Sequence, residues 1–175
     1  IQMAGPGLSG DKILKPQTGL MFSKMGMPQS TVDKWGVIQD EIYAIVKANP
    51  SNAQATILLN AQVAKWESTL NEQDKLMLGY SREQIQKNFE VNPRPWMRYF
   101  LSCDPQEKLP EIKIPHLALF GGKDLQVPAK ENQEAMIAGQ SQNDQFESHV
   151  FPEMNHLFQP AQTGLVQEYG QIETT

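Results

Sequence analysis

The sequence predicts a mixed α/β fold in which a run of helices precedes a parallel strand–helix–strand unit. Three observations predict it. Residues 9–79 carry apolar positions at helical spacing with helix-start signals between them. Residues 114–120 form a short apolar run that ends in Gly121-Gly122. Residues 146–151 form a second such run, halted by Pro152, with a helical stretch at 129–139 between the two. Strand, helix, strand in that order is how parallel neighbours are connected.

Taken in order, Ile1-Gln2-Met3-Ala4 reads as a short strand running into the Gly5-Pro6-Gly7 loop. It is no signal peptide, because it lacks a basic region and a long apolar stretch. Trp35, Ile38, Ile42 and Ile45 predict one apolar helix stripe. Ser51-Asn52-Ala53-Gln54 matches a capping box, and Ile57, Ala61 and Ala64 are the expected buried face of the helix it opens. Ser81-Arg82-Glu83-Gln84 repeats the box before a helix carrying Ile85 and Phe89. Pro93 and Pro95 interrupt the pattern, and a short helix with Trp96, Tyr99, Phe100 and Leu101 follows. The strand at 114–120, the helix ending at Gly139 and the strand at 146–151 complete the series. The chain ends at Gln171-Ile172-Glu173-Thr174-Thr175 with no terminal element, and starts within a strand, so a fragment of a longer protein is expected.

Composition excludes several classes. A chain of 175 residues with 39% hydrophobic residues suits one domain of ordinary size. The 20% charged fraction, with Pro and Gly at 12 each, argues against disordered, collagen-like and coiled-coil chains. No window approaches the roughly 18 apolar residues a membrane helix needs. The net charge of −5 is spread along the chain, so no nucleic-acid surface is expected. Cys103 is the single cysteine, which excludes an internal disulfide and a Cys-rich zinc site.

Chemistry is expected at two loops. Gly121-Gly122-Lys123-Asp124 puts a carboxylate just past one strand, at the sheet edge where ligands of open α/β sheets bind. Pro152-Glu153-Met154-Asn155-His156 puts an imidazole just past the next. Neighbouring strands bring both loops to one side, so Asp124 can reach a ring nitrogen of His156. A carboxylate that fixes one histidine tautomer is what a general base for a serine nucleophile requires. Each residue alone also has a plainer reading. Asp124 can be a turn residue or helix cap, and a lone loop histidine is commonly structural or solvated. His116, beside Pro115, and His149, inside a strand, read as packing or surface residues. A metal site from His149, Glu153 and His156 has no recognised ligand spacing. Cys103 beside Asp104-Pro105 reads as an inert thiol.

Pro95-Trp96-Met97-Arg98-Tyr99-Phe100-Leu101 with Asp104-Pro105, then residues 114–128 with their Gly-x-x-Asp-x-x-Val-Pro pattern, resemble the α/β-hydrolase superfamily. Asn155-His156-Leu157-Phe158-Gln159, Thr163-Gly164 and Glu168-Tyr169 resemble its bacterial esterase and serine aminopeptidase-like branch. The match covers residues 93–175, with weaker support from Ala4-Gly5-Pro6-Gly7 and Gln17. The resemblance implies the C-terminal part of an α/β-hydrolase fold, its last parallel strands with flanking helices, plus an inserted α-helical cap. Residues 1–8 would be a core strand and loop, 9–92 the cap, and 93–175 the C-terminal part of the core. Met21, Phe22, Met25 and Met27 would line a pocket or fill the cap core.

The resemblance also implies roles. Asp124 matches the triad acid and His156 the triad base, in the superfamily order of Ser, acid, His. The nucleophile is not matched, because the chain has no Gly-x-Ser-x-Gly. Gly7-Leu8-Ser9-Gly10 comes nearest, but Asp11 stands where the last Gly belongs, so Ser9 reads as a loop or cap residue. The nucleophile and the early oxyanion loop are expected upstream, and the chain alone is expected to be catalytically incomplete. The implied activity is hydrolysis of a carboxylic ester, thioester or small amide through an acyl-serine, with no metal and no organic cofactor. The expected partners are that small-molecule substrate and, across the edge left by residues 1–4, a second copy or the missing N-terminal half. The alternative is a non-catalytic binding module that uses a groove between cap and sheet. Acyl-chain preference and compartment are left open by the sequence.

Overall fold

A computed structural model describes residues 1–91 and 93–171. The expectation for residues 172–175 lies outside the described residues. The elements run β1 (Gln2–Met3), α1 (Gly10–Lys24), α2 (Gln29–Ala48), α3 (Asn52–Thr69), α4 (Glu72–Met77), α5 (Arg82–Val91), α6 (Pro95–Ser102), β2 (His116–Gly121), α7 (Ala129–Gly139) and β3 (Phe146–Phe151). Short 3-10 turns occupy Pro105–Glu107, Leu109–Glu111 and Val166–Gln171. The protein is therefore mixed α/β with a small parallel sheet. Among the described residues no helix is long and apolar enough to cross a membrane.

The chain divides into two compact units, Ile1–Lys24 with Cys103–Thr175, and Met25–Ser102. These boundaries differ from the expected 9 and 92, and side chains explain both shifts. The segment leading into α1 is tied to the sheet unit, since Gly7 N donates to Asn132 Oδ1 at 2.9 Å and Gln106 Nε2 donates to Gly7 O at 2.7 Å. Within α1, Lys12 Nζ pairs with Asp104 at 3.2 Å. At the other boundary α6 packs on α2, and Arg98 donates to Val46 O at 3.1 Å and to Asn52 Oδ1 at 3.2 Å. A backbone carbonyl of α2 thus holds α6 in the helical unit.

In the helical unit α3 packs against α2 and α5. The stripe predicted on α2 is present: Ile38 and Ile42 are buried, with Trp35 and Ile45 half-buried beside them. The face predicted for α3 is corrected. Ile57 is 63% exposed and Ala61 and Ala64 are exposed, while Ala55, Leu59, Val63 and Trp66 are buried. Both sets have helical spacing, and the winning set carries the larger apolar surface. Trp66 decides the orientation, with its ring edge-on to Phe89 at 5.8 Å and its Nε1 donating to Glu41 Oε2 at 2.7 Å. Ser51 accepts from Gln54 N at 3.3 Å, and Ser81 from Gln84 N at 3.4 Å. A reciprocal capping box forms instead at α4, between Asn71 and Asp74. There Asp74 also accepts from Thr31 Oγ1 at 2.6 Å and pairs with Lys34 at 2.5 Å. Those partners hold its carboxyl down at about 2.

In the sheet unit all three strands are parallel, in the order β1-β2-β3. β2 is central and pairs with β3 along its whole length, from His116 opposite Phe146 to Gly121 opposite Phe151. Alternation sends Ala118 and Phe120 to one face, where they pack with Met136 of α7 and Leu109. β3 is an edge strand whose residues alternate between half-buried and exposed. β1 pairs over only two residues, and Ala4 N adds one ladder bond to Leu119 O at 2.9 Å. Parallel order and full pairing of β2 with β3 bring the loops after both strands to the same sheet edge.

Candidate active site

The loop after β2 is held by backbone bonds to the loop after β3. Gly122 N donates to Phe151 O at 2.8 Å, and Lys123 N donates to Met154 O at 3.0 Å. This close approach needs glycine at 121, where a Cβ would sit 2.6 Å from Asn155 O and closer still to Met154 O. Lys123 strengthens the seam by donating to Ala161 O at 2.8 Å and pairing with Glu153. Asp124 follows at once and is 3% exposed. Its Oδ1 accepts from Gln126 N at 2.8 Å and Val127 N at 2.9 Å. One carboxylate oxygen is thus spent on fixing the loop, and Oδ2 is directed at His156.

The loop after β3 is a small closed turn. Met154 and Pro160 bridge its ends in antiparallel fashion. Phe158 N donates to Asn155 O and Asn155 N to Gln159 O, both at 3.0 Å. The fully buried Asn155 side chain accepts from Leu157 N at 2.9 Å and Gln159 N at 3.1 Å. That is the local Asx pattern that substitutes for ladder bonds in a turn. Phe158 sits at φ +57, a left-handed conformation costly for a bulky residue. Its ring meets Phe151 edge-on at 6.1 Å, a contact that offsets part of the cost.

Between these loops His156 Nδ1 lies 2.9 Å from Asp124 Oδ2. The carboxylate is acceptor-only, so Nδ1 carries the proton and donates it. The other ring nitrogen, Nε2, has no hydrogen-bond partner among the described residues. The hydrogen bond to Asp124 raises the His156 pKa above the ordinary histidine value, and partial burial opposes that shift. The imidazole side chain is 28% exposed, so Nε2 is open to a reacting group. The arrangement can accept a proton at Nε2 and stabilise the resulting imidazolium through Asp124.

The other candidates fall elsewhere. Ser9 is buried, its hydroxyl donates to Asp11 Oδ1 at 2.6 Å, and its carbonyl accepts from Ile13 N at the start of α1. His116 is a packing residue, tilted on Phe146 at 5.3 Å with Nε2 3.1 Å from Gln2 Oε1. His149 is exposed, 3.7 Å from Glu147. Glu153 is committed to Lys123, and no group of three metal-ligating residues occurs among the described residues. Cys103 is exposed. Met21 borders a cavity of about 100 Å³ together with Gln17 and Leu125, whereas Met25 is 56% exposed.

Sequence reasoning missed three supporting side chains. Asn155 braces the histidine turn, and Asn132 joins α7 to Gly7 through its Oδ1 while its Nδ2 donates to Pro128 O. Glu168 accepts from the backbone N–H groups of Gln162, Thr163 and Gly164 and from Thr163 Oγ1, which pulls its carboxyl down to about 2. A buried Asn next to a turn was the one available signal for Asn155. Glu168 stands within the resembling Glu168-Tyr169 pair without a role given to it, and nothing in the sequence marks Asn132. In comparisons with known proteins, no family model, no curated protein and no solved structure matches the chain.

Proposed function

We propose that residues 1–175 contribute two members of a Ser-His-Asp triad to a serine hydrolase of the α/β-hydrolase superfamily. Asp124 is the acid and His156 the base. The serine is supplied by residues outside this segment. The substrate is a carboxylic ester, thioester or small amide, cleaved through an acyl-serine.

The observation that carries the reading is the 2.9 Å contact between Asp124 Oδ2 and His156 Nδ1, made from loops that follow two adjacent parallel strands. In the first half-reaction His156 Nε2 takes the serine proton as oxygen attacks the acyl carbon. Asp124 stabilises the imidazolium without taking a proton itself. His156 then returns the proton to the leaving alcohol, thiol or amine. In the second half-reaction it takes a proton from water as the water attacks the acyl carbon, then gives that proton to the serine oxygen as the acyl–oxygen bond breaks and the acid leaves. Gln126 N and Val127 N keep the carboxylate turned toward the ring throughout. The segment by itself is a poor catalyst, because it carries neither nucleophile nor complete oxyanion hole.

Fluorophosphonate labelling, read by intact mass, tests the reading on residues 1–175 and on an extended chain with the preceding coding sequence. Labelling of the extended chain alone, abolished by His156→Ala, is the expected result. Labelling of a serine within residues 1–175 would overturn the claim that the nucleophile lies outside. Labelling of neither, with both shown folded, would sink the hydrolase reading in favour of a binding module.

A further inference from the structure

A cavity of about 540 Å³ opens beside the Asp124 loop and is lined wholly by the sheet unit. Its size falls in the range of roughly 300–1,000 Å³ that holds small organic ligands. The lining is mostly apolar, with Leu20, Leu125 and Val150 among its walls. Two lysines, Lys24 and Lys130, stand on the same lining. Neither has a hydrogen-bond or ion-pair partner among the described residues. The remaining charges there do not cancel them. Lys123 is occupied by Glu153, Asp124 is occupied by His156, and Glu131 alone opposes the two cations. The first turn of α7 forms another wall and carries no side-chain cap, so the positive end of its dipole adds to the same field.

We infer that this cavity binds an amphipathic organic anion, with its apolar chain against Leu20, Leu125 and Val150 and its carboxylate between Lys24 and Lys130. An apolar pocket excludes bare inorganic ions, which gain nothing from its walls. A pair of uncommitted cations at its margin selects an acid over a neutral or cationic amphiphile. The inference stands on the cavity and its charges, and holds whether or not the Asp124–His156 pair is catalytic.

The test is calorimetric titration of residues 1–175 with sodium octanoate, 1-octanol and octylamine, with methyl NMR shifts of Leu20, Leu125 and Val150 to locate the site. Saturable octanoate binding that perturbs those methyls is expected, with octylamine silent and octanol weaker by about tenfold, the worth of one charge-assisted hydrogen bond. Lys24→Gln and Lys130→Gln, both surface changes that leave the fold intact, should each weaken octanoate by about the same factor. Absence of saturable octanoate binding would overturn the inference. So would octanol binding as tightly as octanoate, or unchanged octanoate affinity in both lysine variants.

Discussion

Replacing Gly121 by alanine should uncouple His156 from Asp124 without touching either residue. The added Cβ would lie 2.6 Å from Asn155 O, where real contacts do not fall below 3.0 Å. The turn carrying His156 must therefore retreat by at least about 0.4 Å, and by more to clear Met154 O. Gly121 is backbone-locked at the end of β2, in register with Phe151, so the give must come from the 154–155 turn. Transmitted to the next residue, that displacement lengthens the 2.9 Å contact between His156 and Asp124 to about 3.3 Å, beyond the usual range for a hydrogen bond from nitrogen to oxygen. The His156 pKa should fall from its raised position toward the ordinary histidine value, because the interaction that raises it is the bond being stretched. Overpacking at the seam should cost about 1–3 kcal/mol of stability.

NMR titration of the His156 ring reads the first effect and thermal or urea unfolding the second. Gly170→Ala serves as control, since nothing among the described residues lies within 4 Å of its added Cβ. A G121A protein in which His156 titrates as in the parent, at unchanged stability, would refute the claim that this glycine sets the distance between the loops.

Three further outcomes are expected. In Asp124→Asn, His156 should titrate lower than in the parent by NMR. The sign follows from the raised folded value: the pair's contribution is full below the ordinary histidine pKa and is lost as pH rises through the raised one, so the stability gap between parent and variant should narrow across that interval. Leu59→Ala should cost about 2–5 kcal/mol in urea unfolding while Ile57→Ala stays within about 0.5 kcal/mol, and equal losses would mean that α3 is turned the other way. Glu168→Gln should speed hydrogen exchange at the amides of Gln162, Thr163 and Gly164. In the parent that protection should persist above pH 4.5 and fade as pH drops toward about 2, because the folded pKa is depressed, and protection unchanged in the variant would rule out the carboxylate as its source.

The strand–helix–strand section was legible because its signals agree. Gly121-Gly122 ends β2, Gly139 ends α7 and Pro152 ends β3, each where backbone chemistry requires a stop. The pairing of Asp124 with His156 was legible for the same reason: parallel order fixes which loops share an edge, and each residue stands within a few positions of its strand's end. The α3 face was not legible. Ile57, Ala61 and Ala64 have the same spacing as Leu59, Val63 and Trp66, and periodicity does not choose between two such stripes. The choice is made by Phe89 and Glu41, distant in sequence and adjacent to Trp66. The boundaries at 25 and 102 were hidden likewise, because they depend on single bonds such as Gln106 to Gly7 and Arg98 to Val46. Local pattern reports elements, and long-range polar contacts decide their allegiance.

The same distinction explains why the candidate site reads as built for one free atom. Four side-chain atoms around it have assigned partners: Asp124 Oδ1 holds two backbone amides, Oδ2 holds the imidazole, Asn155 Oδ1 holds the turn, and Lys123 Nζ spans to Glu153 and Ala161 O. A merely solvated loop histidine needs none of this. Fixing a rotamer-rich loop costs conformational entropy at each ordered residue, roughly 1–2 kcal/mol of backbone alone. Phe158 adds strain at φ +57. Spending that free energy to orient an imidazole whose Nε2 meets no partner among the described residues is intelligible if Nε2 acts on something else. An imidazole oriented by a carboxylate, with its second nitrogen open, can accept a proton there, and that is the property the proposed function draws on.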